Sequence, residues 1–183
     1  MIIGYMQRTD NLNGVGKVLQ IAPSKTIDSY IRNILKPEIY DTADLFMKGV
    51  TYQLDIQNMA AIADETYDLW ICSHVLEHVE DDRKALRELR RILKVDGWGI
   101  LLVPLDLSRE ETDEEYGCSE AENWRRFGQG DHVRAYAKKD FIARVKECGF
   151  DLECIGKEFF GEEFFKNCGL IDTSTLYVVR KNI

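Results

Sequence analysis

The chain is predicted to be an α/β protein built on a doubly wound, mostly parallel sheet, with helices on both faces and one antiparallel strand near the C-terminus. Three observations carry this expectation. Residues 67–104, YDLWICSHVLEHVEDDRKALRELRRILKVDGWGILLVP, lay out strand, loop, helix, turn and strand in one run, which makes one right-handed crossover unit. Ahead of it, short apolar runs alternate with a helical stripe. Behind it, a helix leads into two late apolar runs able to form a hairpin at one sheet edge.

In order along the chain, residues 17–21 read as the first strand. Ile27, Tyr30, Ile31, Ile34 and Leu35 then make one helical stripe that Pro37 ends. Residues 38–42 form a second strand ending near Asp44, and residues 50–54 a third ending at Asp55. The fourth, residues 67–73, leaves the sheet at the polar pair Ser73 and His74. Asp81 or Asp82 caps the next helix, Ala85, Leu86, Leu89, Ile92 and Leu93 recur at helical spacing, and Asp96-Gly97 stops it before a fifth strand over 100–103. Phe141, Ile142, Val145 and Cys148 mark a further helix stopped by Gly149, and residues 150–155 and 176–179 are the late strands. Between them EFFGEEFFKNCG reads as an apolar edge, a lid or a surface for a second copy of the chain.

The length of 183 residues and 45% hydrophobic content suit one domain over 1–183, with no linker or repeat to divide it. Over about 105–135 the sheet pattern breaks. An acidic run, then Trp124, Arg125, Arg126, Phe127 and GQGDHVRAY, is expected to be a substrate-side insertion. A net charge of −8, from 32 acidic and 24 basic residues, disfavours nucleic acid and anionic membranes and favours a small or neutral acceptor. The five cysteines are odd in number and include no CxxC pair, so a reducing cytoplasm is expected and a cysteine zinc site is not. No stretch approaches the length of a membrane span, and MIIGYMQRTD lacks the regions of a signal peptide.

The succession of an apolar strand, HVLEHV, a helix ending in LKVDGWG and a strand ending in VP resembles the class I S-adenosylmethionine-dependent methyltransferases of the methyltransferase type 11 kind. In many of these the corresponding pieces read LEHV and LKPGG. The resemblance implies a Rossmann-like sheet, S-adenosylmethionine as cofactor and methyl transfer as the activity. It also implies roles for residues at the strand ends, where open α/β sheets bind ligands. Asp44 is expected to hold the ribose with Leu45 on the adenine, Asp41 being the alternative if the second strand is shorter. Asp55 falls near the adenine amino group with Ile56 beside it, and Ser73 and His74 line the far side.

The first loop departs from the family pattern. QIAPSK replaces a glycine-rich turn, so Ile21, Ala22, Pro23 and Ser24 would have to serve the cofactor, although Pro23 removes a backbone donor. Gln20 stands where an acid is often found. Ser24 can cap the following helix and, with Lys25, meet the methionine carboxylate. This departure also keeps a second reading in view, a catalytically silent relative acting as a binding or partner subunit. A nicotinamide oxidoreductase is disfavoured, since no GxGxxG follows the first strand.

The favoured function is methyl transfer to a small-molecule acceptor, by preference onto oxygen, with His78 or His132 as general base. His74, Glu77 and His78 share one face if their turn is helical. With His132 they also offer ligands to a divalent ion, a reading the sequence disfavours because LEHV occurs in many relatives that need no metal. Arg134 and Tyr136 either bind the acceptor or pair and pack within the insertion.

Overall fold

The computed structural model describes residues 1–182. Five strands run parallel at its centre: β1 (Lys17–Ile21), β2 (Ile39–Asp44), β3 (Tyr52–Gln53), β4 (Tyr67–Ser73) and β5 (Leu93–Leu102). A two-stranded ribbon, β6 (Asp113–Glu114) with β7 (Arg134–Ala135), lies apart from them. The late strands β8 (Phe150–Ile155) and β9 (Leu176–Lys181) complete a seven-stranded sheet in the order β3-β2-β1-β4-β5-β9-β8. Only β9 runs against its neighbours, pairing antiparallel with β5 and β8. The sheet therefore has the expected mostly parallel, Rossmann-like order with its antiparallel member near the C-terminus.

Alternation along β1 and β4 divides the core between the two faces. Leu19, Ile21, Trp70 and Cys72 point to one side, under α3 (Asp82–Ile92) and α5 (Lys138–Glu147). Val18, Leu69 and Ile71 point to the other, under α1 (Ile2–Met6) and α2 (Lys25–Tyr30, prolonged by a wider turn to Leu35). Trp70 is fully buried and donates its indole N–H to the Leu89 carbonyl at 3.0 Å, which ties β4 to α3. Its ring occupies the space a side chain at Gly99 of β5 would need, since a Cβ there would lie 2.4 Å from the indole.

Several boundaries differ from the sequence expectation. Helix α3 begins after the Asp81 cap, whose side chain accepts from Lys84 N–H, but ends at Ile92 and not at Asp96-Gly97. Leu93 already pairs with Tyr67, and the register slips over the following residues before Trp98 pairs with Leu69. The ion pair of Lys94 with Asp68, at 2.6 Å, holds this bulge against β4, and Asp68 also accepts from the backbone of Gly16 and Lys17. Strand β2 runs on to Asp44, which leaves Asp41 inside the strand with its carboxylate on the Tyr67 hydroxyl at 2.8 Å. Strand β3 shrinks to two residues because Thr42 and Thr51 exchange side-chain to backbone hydrogen bonds of 3.1 Å where ladder bonds would otherwise form.

The insertion is ordered. It carries α4 (Glu120–Phe127), capped by Ser119, and the β6/β7 ribbon. Arg126 of α4 bonds Asp113 at 2.5 Å and pairs with Glu115. The EFFGEEFFKNCG segment forms α6 (Lys157–Phe160) and α7 (Glu162–Asn167), whose Phe160 and Phe165 pack into the second core face with Tyr5 and Met6 of α1.

Candidate active site

A cleft of about 530 Å³ opens beyond the carboxyl ends of the parallel strands. Its walls include Ile21 and Ala22 after β1, Asp44, Leu45 and Phe46 after β2, Asp55 and Ile56 after β3, and His74 and His78 after β4; Tyr116 and Asp131 of the insertion close one side. Larger hollows of about 690 and 750 Å³ exist, but one lies at the opposite end of the sheet among Arg87, Arg90 and Arg91. The other lies on the flank of the insertion around Arg109 and Lys139. Neither receives the carboxyl ends of the parallel strands, which in this architecture deliver the ligand-binding loops.

Two residues at the floor of the cleft have left-handed backbone: Ala22 with φ of +47° and His74 with φ of +55°. Each ends a strand and turns sharply while keeping one sheet hydrogen bond. Ala22 N–H donates to the Ala43 carbonyl and His74 N–H to the Leu102 carbonyl, both at 2.8 Å. Such a conformation costs a non-glycine residue of order 1 kcal/mol, and it persists where neighbours over-determine it. Ala22 thus adopts the turn that a glycine would make without strain. Pro23 and Ser24 follow beside the cleft and not in its wall, and the Ser24 hydroxyl caps α2 by accepting from Ile27 N–H at 3.4 Å. Gln20, in β1, is buried and accepts from the Tyr40 hydroxyl at 2.6 Å.

Asp44 accepts the backbone N–H groups of Phe46 and Met47 on Oδ1, each at 2.7 Å. That turn presents Leu45 and Phe46, the latter 81% exposed, as an apolar lip. Oδ2 of Asp44 makes none of these bonds. Asp55 likewise accepts Gln57 N–H on Oδ1 at 2.8 Å, with the Gln57 amide on both its oxygens. Ile56 is buried beneath. Ser73 ends β4, half-buried, next to His74.

The HVLEHV turn forms the third wall. Glu77 is 0% exposed and neither carboxyl oxygen has a hydrogen-bond partner, while His74 Nδ1 stands 3.3 Å from Oε1. That neighbour raises the His74 pKa against the opposing effect of burial. The rings of His78 and His132 meet edge to face with centroids 4.7 Å apart. Burial, then the neighbouring His78, lowers the His132 pKa. His78 Nδ1 lies 3.2 Å from the Asp131 carbonyl and 3.3 Å from its carboxylate. Glu77, His78 and His132 each place one ligand-type atom within 4.8 Å of the others. The sequence had brought these groups into one set without indicating that Glu77 would be wholly enclosed.

Of the two readings open for Arg134 and Tyr136, the structural one holds. Arg134 is 3% exposed and donates to the carbonyls of Leu76, Val79 and Glu80 at 2.5, 2.6 and 2.8 Å, with Glu114 at 3.0 Å as its counter-ion. Tyr136 donates its hydroxyl to Asp82 at 2.6 Å, and Arg144 bridges Asp82 and Glu114. Val133 N–H adds a bond to the Glu77 carbonyl at 2.9 Å. The end of the insertion is thus bolted to the HVLEHV turn.

A Rossmann-like sheet with acids after β2 and β3 and a cleft at the strand ends defines a nucleotide-cofactor-binding α/β enzyme. Residues 7–101 match the family described as Methyltransferase domain, and the chain belongs to that family. It is a class I methyltransferase, and S-adenosylmethionine is its cofactor. No curated protein matches the chain. Among solved structures it is similar to an S-adenosylmethionine-dependent methyltransferase from Mesorhizobium loti, with 14% identity and a TM-score of 0.66 over 97% of this chain and 94% of that one. One from Archaeoglobus fulgidus gives 12% identity and 0.58 over 97% and 91%. The trans-methyltransferase CalH, in complex with S-adenosylhomocysteine, gives 16% identity and 0.58 over 98% of this chain and 54% of that one.

Proposed function

We propose that the enzyme methylates an oxygen of a small-molecule acceptor. The observation that supports this most is the His78–His132 pair, set against a cleft of about 530 Å³, a size suited to a cofactor with a small partner. The cofactor supplies a methyl group on sulfonium sulfur. Transfer is in-line, so the residues act chiefly by positioning, and a hydroxyl acceptor must also lose a proton. His132, held neutral by burial, or His78 takes that proton as the oxygen–carbon bond forms and the carbon–sulfur bond breaks.

The cofactor half of the cleft fits its ligand. Asp44 has an oxygen free of the loop bonds for the ribose hydroxyls, Leu45 and Ile56 offer apolar faces to the adenine, and Asp55 accepts from its amino group. Ile21 and Ala22 form the wall on the methionine side, with Pro23, Ser24 and Lys25 beside it, and His74, next to Ser73, forms the far side. The net charge of −8 favours a small acceptor over nucleic acid.

The test is a screen of hydroxyl, amine and carboxyl acceptors for S-adenosylhomocysteine release. Hydroxyl substrates are expected to turn over, with His78→Ala and His132→Ala losing roughly 10²-fold or more in kcat. Turnover confined to amines, unaffected by either substitution, would overturn the reading. In calorimetry Lys25→Ala is expected to weaken cofactor binding, and an unchanged affinity would remove Lys25 from the methionine side.

A further inference from the structure

We propose that Glu77, His78 and His132 bind one divalent transition-metal ion at the inner end of the cleft. Glu77 is the starting point. It is wholly buried with both oxygens unpartnered. Enclosed carboxyl groups are otherwise paired, hydrogen-bonded or coordinated to a metal, because leaving one bare costs several kcal/mol. His74 Nδ1 stands 3.3 Å from Oε1, but its side chain is 57% exposed and it meets neither oxygen with hydrogen-bond geometry.

The remaining geometry is that of a ligand set. One atom from each of the three residues lies within 4.8 Å of the others, so an ion at bonds of about 2.0–2.2 Å needs them to draw together by roughly an ångström. His78 already spends Nδ1 on Asp131, 3.2 Å from its carbonyl and 3.3 Å from its carboxylate, which fixes the ring and leaves Nε2 for an ion. Outer hydrogen bonds of this kind are the usual support of metal-binding histidines. The two segments supplying the ligands are joined by Val133 N–H on the Glu77 carbonyl and by the Arg134 clamp, so the set is held before any ion arrives.

Two imidazoles and one carboxylate suit zinc, iron, cobalt or manganese better than magnesium or calcium, which favour oxygen-rich shells. Three protein ligands leave a coordination position open, and His78 lines the cleft. An acceptor hydroxyl bound there would lose its proton more readily, to solvent water at the mouth of the cleft, with the two histidines then acting as ligands and not as bases. That role rests on the acceptor reading above; the binding of the ion does not.

The test is titration of the metal-stripped full-length protein with cobalt(II), followed by visible absorption. Bands of four- or five-coordinate cobalt saturating at one equivalent, and displaced by zinc(II), are expected. Glu77→Gln and His132→Asn should each weaken binding at least about tenfold. A featureless spectrum with no saturation in the wild type would overturn the site, as would affinity unchanged in both Glu77→Gln and His132→Asn. Calorimetry of the same metal-free sample with S-adenosylhomocysteine reads the cofactor half separately, so failure of the ion site is distinguished from failure of the methyltransferase reading.

Discussion

Ala22 shows how a single side chain sets the character of the loop after β1. At φ of +47° it accepts strain that glycine would not feel, but only a methyl group enters the cleft. Ala22→Gly is therefore expected to hold stability within about 1 kcal/mol of wild type, relief of strain offsetting the added freedom of the unfolded chain. Ala22→Val should cost more than about 1 kcal/mol by urea denaturation, since a β-branched residue fits this backbone poorly. Asp44 gives the sharper test of binding. Asp44→Asn keeps an oxygen for the Phe46 and Met47 N–H groups but loses the charge, so calorimetry should show cofactor affinity reduced by about 1.5 kcal/mol, roughly tenfold, with the fold retained. The place of Asp44 at the end of β2 was legible in the sequence, whereas its role came from the resemblance, because a strand-end carboxylate alone reads equally as a solvated loop acid or a cap. Arg134 was not legible, because an arginine among acids and aromatics reads equally as ligand or clamp, and only the three carbonyls it faces decide the matter.

Among the elements, β1 and β4 lie where their apolar runs put them, because strands buried on both faces leave a continuous hydrophobic signal, while the edge strand β8 buries only its ends, Phe150 and Ile155. The crossing from α3 to β5 was less clear. Leu93 satisfies a helical stripe and a strand alike, and its pairing with Tyr67 is a long-range contact that periodicity does not encode. The same holds for β6, α4 and β7, whose order comes from Arg126 on Asp113 and Arg134 on Glu114 across many residues of chain. Close packing of β4 on β5 yields a further prediction. Gly99→Ala drives a methyl group into the Trp70 indole, which is fixed by its bond to Leu89 and cannot swing away. A loss of about 1–3 kcal/mol by urea denaturation is expected.

Across the whole molecule, the insertion and the sheet are joined by a buried charge network whose strength depends on pH. The Arg144 guanidinium, then that of Arg134, holds Glu114 down at about 2, against an ordinary value of 4.5. A lowered folded-state pKa stabilises above the ordinary value and is lost as pH falls from there toward the folded value. The network should therefore be intact above about pH 5 and weaken between about 4.5 and 2. Hydrogen exchange over residues 105–136 is expected to rise across that window before the core strands open, and Glu114→Gln should remove the pH dependence of this step.

The Arg134 clamp also divides the insertion into parts with different freedom to vary. Residues 131–136 share hydrogen bonds with the HVLEHV turn, whereas Tyr116 reaches the cleft from the stretch before α4, with its side chain largely exposed. If the insertion meets the acceptor, as proposed, descent with modification would find new acceptors by rewriting the earlier stretch while the later one stays in place. A designer grafting specificity from a relative would do well to set the splice ahead of Asp131.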